Sequence, residues 1–299
     1  HLTIRRNIMD LFSEYISLEN ALNIIDFESP IYLILAFVLL WLGKLVNDLV
    51  TSYDIDKELT HKDNKALAVS YVGYLIAQGI IIIGVISGPE EHSLLSELGL
   101  VALWSIIGIV LLNLARVVND KLIFSKFCNK KEIIDDRNIG TGAVQFGSYV
   151  GTAFIIKAIV SSESAGLVQD IIGTAVFFII GQLGFILFSV LYQKITQWDL
   201  HGEIEKDNIA AGLSFGMTLI AIGIIMSHSI GITDSVPSFI VWFINGVAFI
   251  IASRFIIDKV ILPKHKLDEE ISKDRNWGVS LIEGGSAIII ALLLNSSFA

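Results

Sequence analysis

The sequence predicts an all-α membrane protein: eight transmembrane helices as two tandem four-helix repeats, four hairpins in all, preceded by an N-terminal amphipathic helix. Three observations lead there. Charge is scarce. Only 17% of the 299 residues are Asp, Glu, Lys or Arg and the mean hydropathy is +0.70, whereas soluble domains carry roughly 25% charged residues. Eight apolar runs approach the ~20 residues a helix needs to cross ~30 Å of hydrocarbon. A polar triplet ending in Asn stands before every second run, as KDN, DRN, KDN and DRN, closing on Asn64, Asn138, Asn208 and Asn276.

The elements follow in order. In residues 1–29, Ile8, Leu11, Phe12, Tyr15, Ile16, Leu22 and Ile25 recur at helical spacing, with Asp10, Glu14 and Glu19 between them. That pattern predicts an amphipathic helix on the outer surface. The first repeat occupies 30–165, with spans at about 31–50, 66–87, 95–118 and 139–160. The second occupies 166–299, with spans at about 167–192, 209–230, 236–262 and 277–295. Pro30 and Pro237 lie at helix starts, where the missing N–H is not needed. Pro89 and Pro263 follow helix ends, so no proline kink is expected. Helix association in lipid relies on close backbone approach. Gly147 with Gly151, Gly212 with Gly216, and Gly284 with Gly285 therefore mark the even-numbered helices as the tightly packed ones. Trp41, Trp104, Phe177, Phe178, Trp242 and Phe243 assign the odd-numbered helices to lipid.

Orientation comes from the basic residues. The loops after segments 1, 3, 5 and 7, with the adjoining helix ends, hold 18 of the 21 Lys and Arg. Short loops rich in Lys and Arg stay on the cytoplasmic side, so the motif loops are expected inside and both termini outside. The single cysteine, Cys128, lies in such a loop and excludes an internal disulfide. No basic patch points to nucleic acid.

The motif copies alternate. Copies one and three share K-D-N-x-A-x-x-x-S, through Ser70 and Ser214. Copies two and four share D-R-N-x-G-x-x-x-x-[QE]-x-G-S, through Gln145 and Glu283. The older unit is therefore a pair of hairpins, later duplicated. Because both halves run in the same direction, a pseudo-two-fold axis along the membrane normal is expected. Each Asn is a good helix N-cap. With the run from Asn208 to Gly216 as its best match, the chain resembles two fused copies of the bacterial inner-membrane domain-of-unknown-function family 350 (YjfL-like). That resemblance brings no established activity. It implies the company of membrane-stress systems with PspA/ESCRT-III-like coat proteins, and hence a cytoplasmic membrane-associated coat protein as partner.

Ionisable groups within a span are costly and face the protein interior. Glu283 and Gln145 each lie seven residues past their Asn. They define an intramembrane polar layer at equal depth, read either as a constriction for a cation or proton or as hydrogen-bonded glue between helices. Gln78, Asn113, Gln182 and Asn245 are expected to hydrogen-bond across helices. Arg116 with Asp120 and Arg254 with Asp258 form i,i+4 opposite-charge clamps at the inner interface. Each motif loop also carries an acidic–apolar step, Glu58-Leu59, Glu132-Ile133, Glu203-Ile204 and Glu270-Ile271, read either as part of a solvated loop or as a short turn lying on the membrane, four of which form a rim able to dock a partner. No nucleophile–base set, metal-ligand spacing or cofactor motif is present, so neither an enzyme nor a cofactor is expected. The first functional reading is a channel- or transporter-like protein with its polar layer at Gln145 and Glu283; the alternative is a non-conducting scaffold recruiting a membrane-stress coat protein through its inner loops. An oligomer fits either.

Overall fold

The computed structural model describes residues 29–88, 93–123, 130–162, 164–233 and 235–297. The expected amphipathic segment lies outside them except for its last residue. Eight described helices are long and apolar enough to cross a membrane. They are α1 (Ser29–Val50), α3 (Lys65–Ile86), α4 (Leu94–Val118), α5 (Ile139–Val160), α6 (Leu167–Ile195), α8 (Ile209–Thr233), α9 (Val236–Ile256) and α11 (Trp277–Ser297). Three one-and-a-half-turn helices sit in the motif loops: α2 (Ile55–Thr60), α7 (Leu200–Glu205) and α10 (Leu267–Ser272). In the second motif loop a wider π-turn, Lys131–Asp135, takes their place, and similar turns extend α4 and α9.

The even-numbered spans form the interior, as their small residues require. They stand in a row, α3 against α5, α5 against α8, α8 against α11. The middle pair is 78% buried over its apolar window, whereas α3 and α11 at the ends are 44% and 39% buried. Backbone meets backbone at the centre. A Cβ at Gly147 would collide with the Gly216 carbonyl, and one at Gly212 with that of Gly140. A Cβ at Gly151 would stand 2.7 Å from the Leu219 carbonyl oxygen. Gly284 packs on Met217, but Gly285, expected to pack as well, faces open space.

Two expectations fail here. A two-fold axis would join α3 to α11 as it joins α5 to α8; instead α3 and α11 occupy opposite ends of the row, and the halves meet head to tail. The aromatic residues of the odd-numbered spans also divide. Trp41 is exposed to the surroundings, while Trp104, Phe177, Phe178 and Phe243 are buried. Trp104 and Phe178 join one buried apolar cluster with Ala77 and Ala153, and Phe177 and Phe243 join another.

Candidate functional site

The motif loops share one construction. A short helix or π-turn ends, and the next residue but one before the long helix takes a left-handed backbone: Asp63, Arg137, Asp207 and Arg275 have φ of 49°, 56°, 55° and 50°. This conformation is unfavourable for residues with a Cβ, and it turns the chain so that Asn becomes the N-cap. The Asn Oδ1 then accepts from the backbone N–H three residues on, at 3.0 Å for Asn64, 2.9 Å for Asn138, 3.2 Å for Asn208 and 3.3 Å for Asn276. Ser, Thr or Asp could fill that role. The other end of the amide explains the choice of Asn.

Each Nδ2 donates to the glutamate of its own loop: Asn64 to Glu58, Asn138 to Glu132, Asn208 to Glu203, Asn276 to Glu270. The first three also donate to the next loop. Asn64 reaches the Ile133 carbonyl at 2.9 Å, Asn138 that of Ile204 at 2.6 Å, and Asn208 that of Ile271 at 2.9 Å. The acidic–apolar step is thus not a membrane-lying turn. Its acid clamps the local Asn, and its apolar residue packs inward and turns its carbonyl to the preceding Asn. Ile133, Ile204 and Ile271 are buried. Asp207 adds a further link, its Oδ1 accepting from the Ile139 N–H at 2.9 Å and from that of Gly140 at 3.5 Å. A carboxylate there also suits the positive start of α5.

The loop glutamates differ in charge. Burial raises Glu58, but hydrogen bonds from Lys62 and Asn64 outweigh it and hold its pKa below the ordinary carboxylate value. Burial dominates at Glu132, whose pKa is raised despite the Asn138 hydrogen bond.

Deeper in the interior the structure separates the two halves of the expected polar layer. In the first, Ser70 donates to Gln145 Oε1 at 2.6 Å. In the second, Ser214 and the Arg254 guanidinium donate to Glu283, and Tyr192 OH reaches Oε1 at 3.1 Å. Gln145 and Glu283 therefore occupy two equivalent clusters and not one ring. Glu283 is 1% exposed and Arg254 is 7% exposed. Arg254 Nη2 also holds Asp268 of α10 at 2.7 Å. Its partners are thus two carboxylates beyond its own helix, and the clamp to Asp258 is not made; Asp258 instead accepts from the Leu267 N–H at 2.7 Å. Arg116, at the matching place in α4, donates to Asn47 Oδ1 at 3.1 Å and to the Val50 carbonyl at 3.3 Å. Gln145 offers it no charge, so it stays near the loop end. Asp120 lies on the π-turn extending α4.

The remaining polar positions divide likewise. Asn113 donates to Tyr74 OH and Gln182 to Thr152, each at 3.1 Å and across helices. Asn245 is exposed and bonds its own helix at the Val241 carbonyl, while the buried Gln78 amide has no hydrogen bond among the described residues. A cavity of about 280 Å³ lies at the opposite end of the molecule, among Tyr32, Glu97, Trp104 and Asp170. It includes neither Gln145 nor Glu283. Among the described residues no cluster of three His, Cys, Asp or Glu is placed to hold a metal.

Eight membrane-length helices enclosing isolated buried polar clusters define a polytopic membrane protein. The chain belongs to the family described as Domain of Unknown Function (DUF350), whose model matches residues 20–160 and again 166–298. Each match contains four of the eight long helices. Two bacterial relatives agree. The UPF0719 transmembrane protein YshE of Bacillus subtilis is 27% identical over 106 residues, 36% of this chain and 78% of its own length. A UPF0719 transmembrane protein of Aquifex aeolicus is 25% identical over 202 residues, 65% of this chain and 72% of its own. No solved structure matches.

Proposed function

We propose that this protein is a non-enzymatic, non-conducting scaffold of the bacterial inner membrane. Its termini lie outside, and its four motif loops form one rigid cytoplasmic surface for a membrane-associated coat protein. The observation that carries this reading is the asparagine relay. Three of the four asparagines spend one amide hydrogen on their own loop and the other on the next. Such a chain fixes the loops relative to one another, which helix capping alone does not require. The basic residues of these loops support the cytoplasmic assignment. The polar layer fits the same reading, because the Glu283 carboxylate is taken up by Arg254, Ser214 and Tyr192.

Proteoliposomes containing the native protein should show no ion or proton flux above empty vesicles. They should bind a purified PspA-like coat protein more than protein-free vesicles do, and charge-removing variants of Asp56 and Lys273, two exposed residues of the first and fourth motif loops, should reduce that binding. Flux from the native protein that Glu283→Gln abolishes would reject the scaffold in favour of transport. One observation favours that second reading: Arg254 joins the buried Glu283 to Asp268, which is 17% exposed at the motif end. Because the Arg254 guanidinium does not release a proton, this reading requires the ion pair to open and Glu283 to exchange its proton with water.

A further inference from the structure

The row of inner helices ends at two faces that its own middle interface would complete. Where the halves meet, α5 presents Gly140, Ala143, Gly147 and Gly151 to Gly212, Gly216 and Gly223 of α8. By motif register, the same places on α11 are Gly278, Leu281, Gly285 and Ile289. Those on α3 are Ala68, Val72 and Gly79. Among the described residues most of these positions have no neighbour. Leu281, Ile289 and Val72 are exposed, and a Cβ on Gly285 or Gly79 would meet nothing within 4 Å.

The polar links stop at the same two ends. Among the described residues, Asn276 is the one motif asparagine whose side chain bonds only its own loop and helix; it is partly exposed where the other three are buried. The acceptor it would use, by the pattern Ile133, Ile204, Ile271, is the Leu59 carbonyl at the opposite end. Asp207 accepts from the first N–H groups of α5; its counterpart Asp63 is exposed. The outer helices repeat the asymmetry. Helix α6 packs against α5 of the preceding half and is 44% buried over its window, whereas the corresponding α1 is only 17% buried.

We infer that a second copy of this chain docks head to tail, α11 of one protomer against α3 and α1 of the next, reproducing the internal α5–α8 interface. Asn276 then donates to the neighbour's Leu59 carbonyl, and the neighbour's Asp63 accepts from the Trp277 and Gly278 N–H groups. An interface of this heterologous kind closes into a ring or extends as a filament. Small residues supply the close approach on which helix association in lipid depends.

The test uses the full chain in bacterial membranes, with Cys128→Ser as background. Copies carrying Val72→Cys are co-expressed with differently tagged copies carrying Leu281→Cys, and oxidised. The expected product is a mixed cross-link between the two tags. Cross-links joining 72 to 72 or 281 to 281, or no cross-link, overturn the proposal. Gly285→Leu adds bulk only to the open face, so the purified variant should melt with the native protein yet lose the mixed cross-link and show a monomer mass in detergent. A variant that melts normally and still cross-links also overturns it.

Discussion

At the scale of single residues, the most consequential group is Arg254. Removing one member of a buried ion pair leaves the other charge uncompensated, which costs about 3–5 kcal/mol. Arg254→Met strands Glu283 and should lower the melting temperature in detergent strongly. Glu283→Gln should be milder, because Arg254 keeps Asp268 and Ser214 keeps an acceptor of the kind Gln145 offers Ser70. Equal losses from the two variants would contradict this account. The loop glutamates predict opposite pH behaviour. Glu132 has a raised pKa, so between the ordinary and raised values the folded chain holds a proton that the unfolded chain has released. Stability then falls as pH rises through that window, and Glu132→Gln should remove the fall. Glu58 has a lowered pKa; its contribution is present above the ordinary value and is lost as pH drops below it. Melting curves of Glu132→Gln and Glu58→Gln from about pH 4 to 8 would separate the two. The four asparagines and their capping role are readable from sequence, because the N-cap preference is local. The partners of Arg254 are not. Asp258, four residues on, is the local choice, and only the packing of α9 against α11 brings Glu283 within reach.

At the scale of elements, each motif loop is a joint between a short helix and a long one. Asn208→Ala removes a cap worth about 0.5–2 kcal/mol and leaves the Ile271 carbonyl without its donor, a further loss of about 1–3 kcal/mol where that group is buried. Asn276→Ala removes the cap and the hydrogen bond to Glu270 of its own loop, but no link to another loop within one chain. Thermal unfolding should therefore rank Asn208→Ala well below Asn276→Ala, and similar melting temperatures would remove the relay from the argument. The glycines give a sharper contrast. Gly147→Leu drives a side chain into the α8 backbone and should prevent stable folding, whereas Gly285→Leu, facing open space within one chain, should leave the protomer's stability within about 0.5 kcal/mol of native. Expression level and monodispersity in detergent report both. The helix limits were legible because apolar length and capping are local properties; the expected spans agree with the observed ones to within a few residues. The acidic–apolar steps were visible too, but their purpose was not. A glutamate five or six residues before each Asn was the available signal, and its meaning depends on the left-handed turn between them.

At the scale of the whole molecule, the chain is a row and not a closed ring of helices. The duplication was legible in the alternation of KDN with DRN, because related sequences fold into related units. Its geometry was not, because parallel repeats can join about a two-fold axis or head to tail. The choice shows at the ends of the row, where α3 and α11 stand apart while Gly147 meets Gly216 at its centre. The buried pair of Arg254 and Glu283 has one more consequence, for the order of assembly. A lone carboxylate at the centre of a helix entering lipid is penalised by about 2.5–3.5 kcal/mol on insertion scales. Of the four residues in this cluster, synthesis delivers Tyr192 on α6 first, then Ser214 on α8, then Arg254 on α9, and Glu283 on α11 last. The acid is thus the last of its cluster to be made, and its guanidinium and hydroxyl partners precede it into the bilayer.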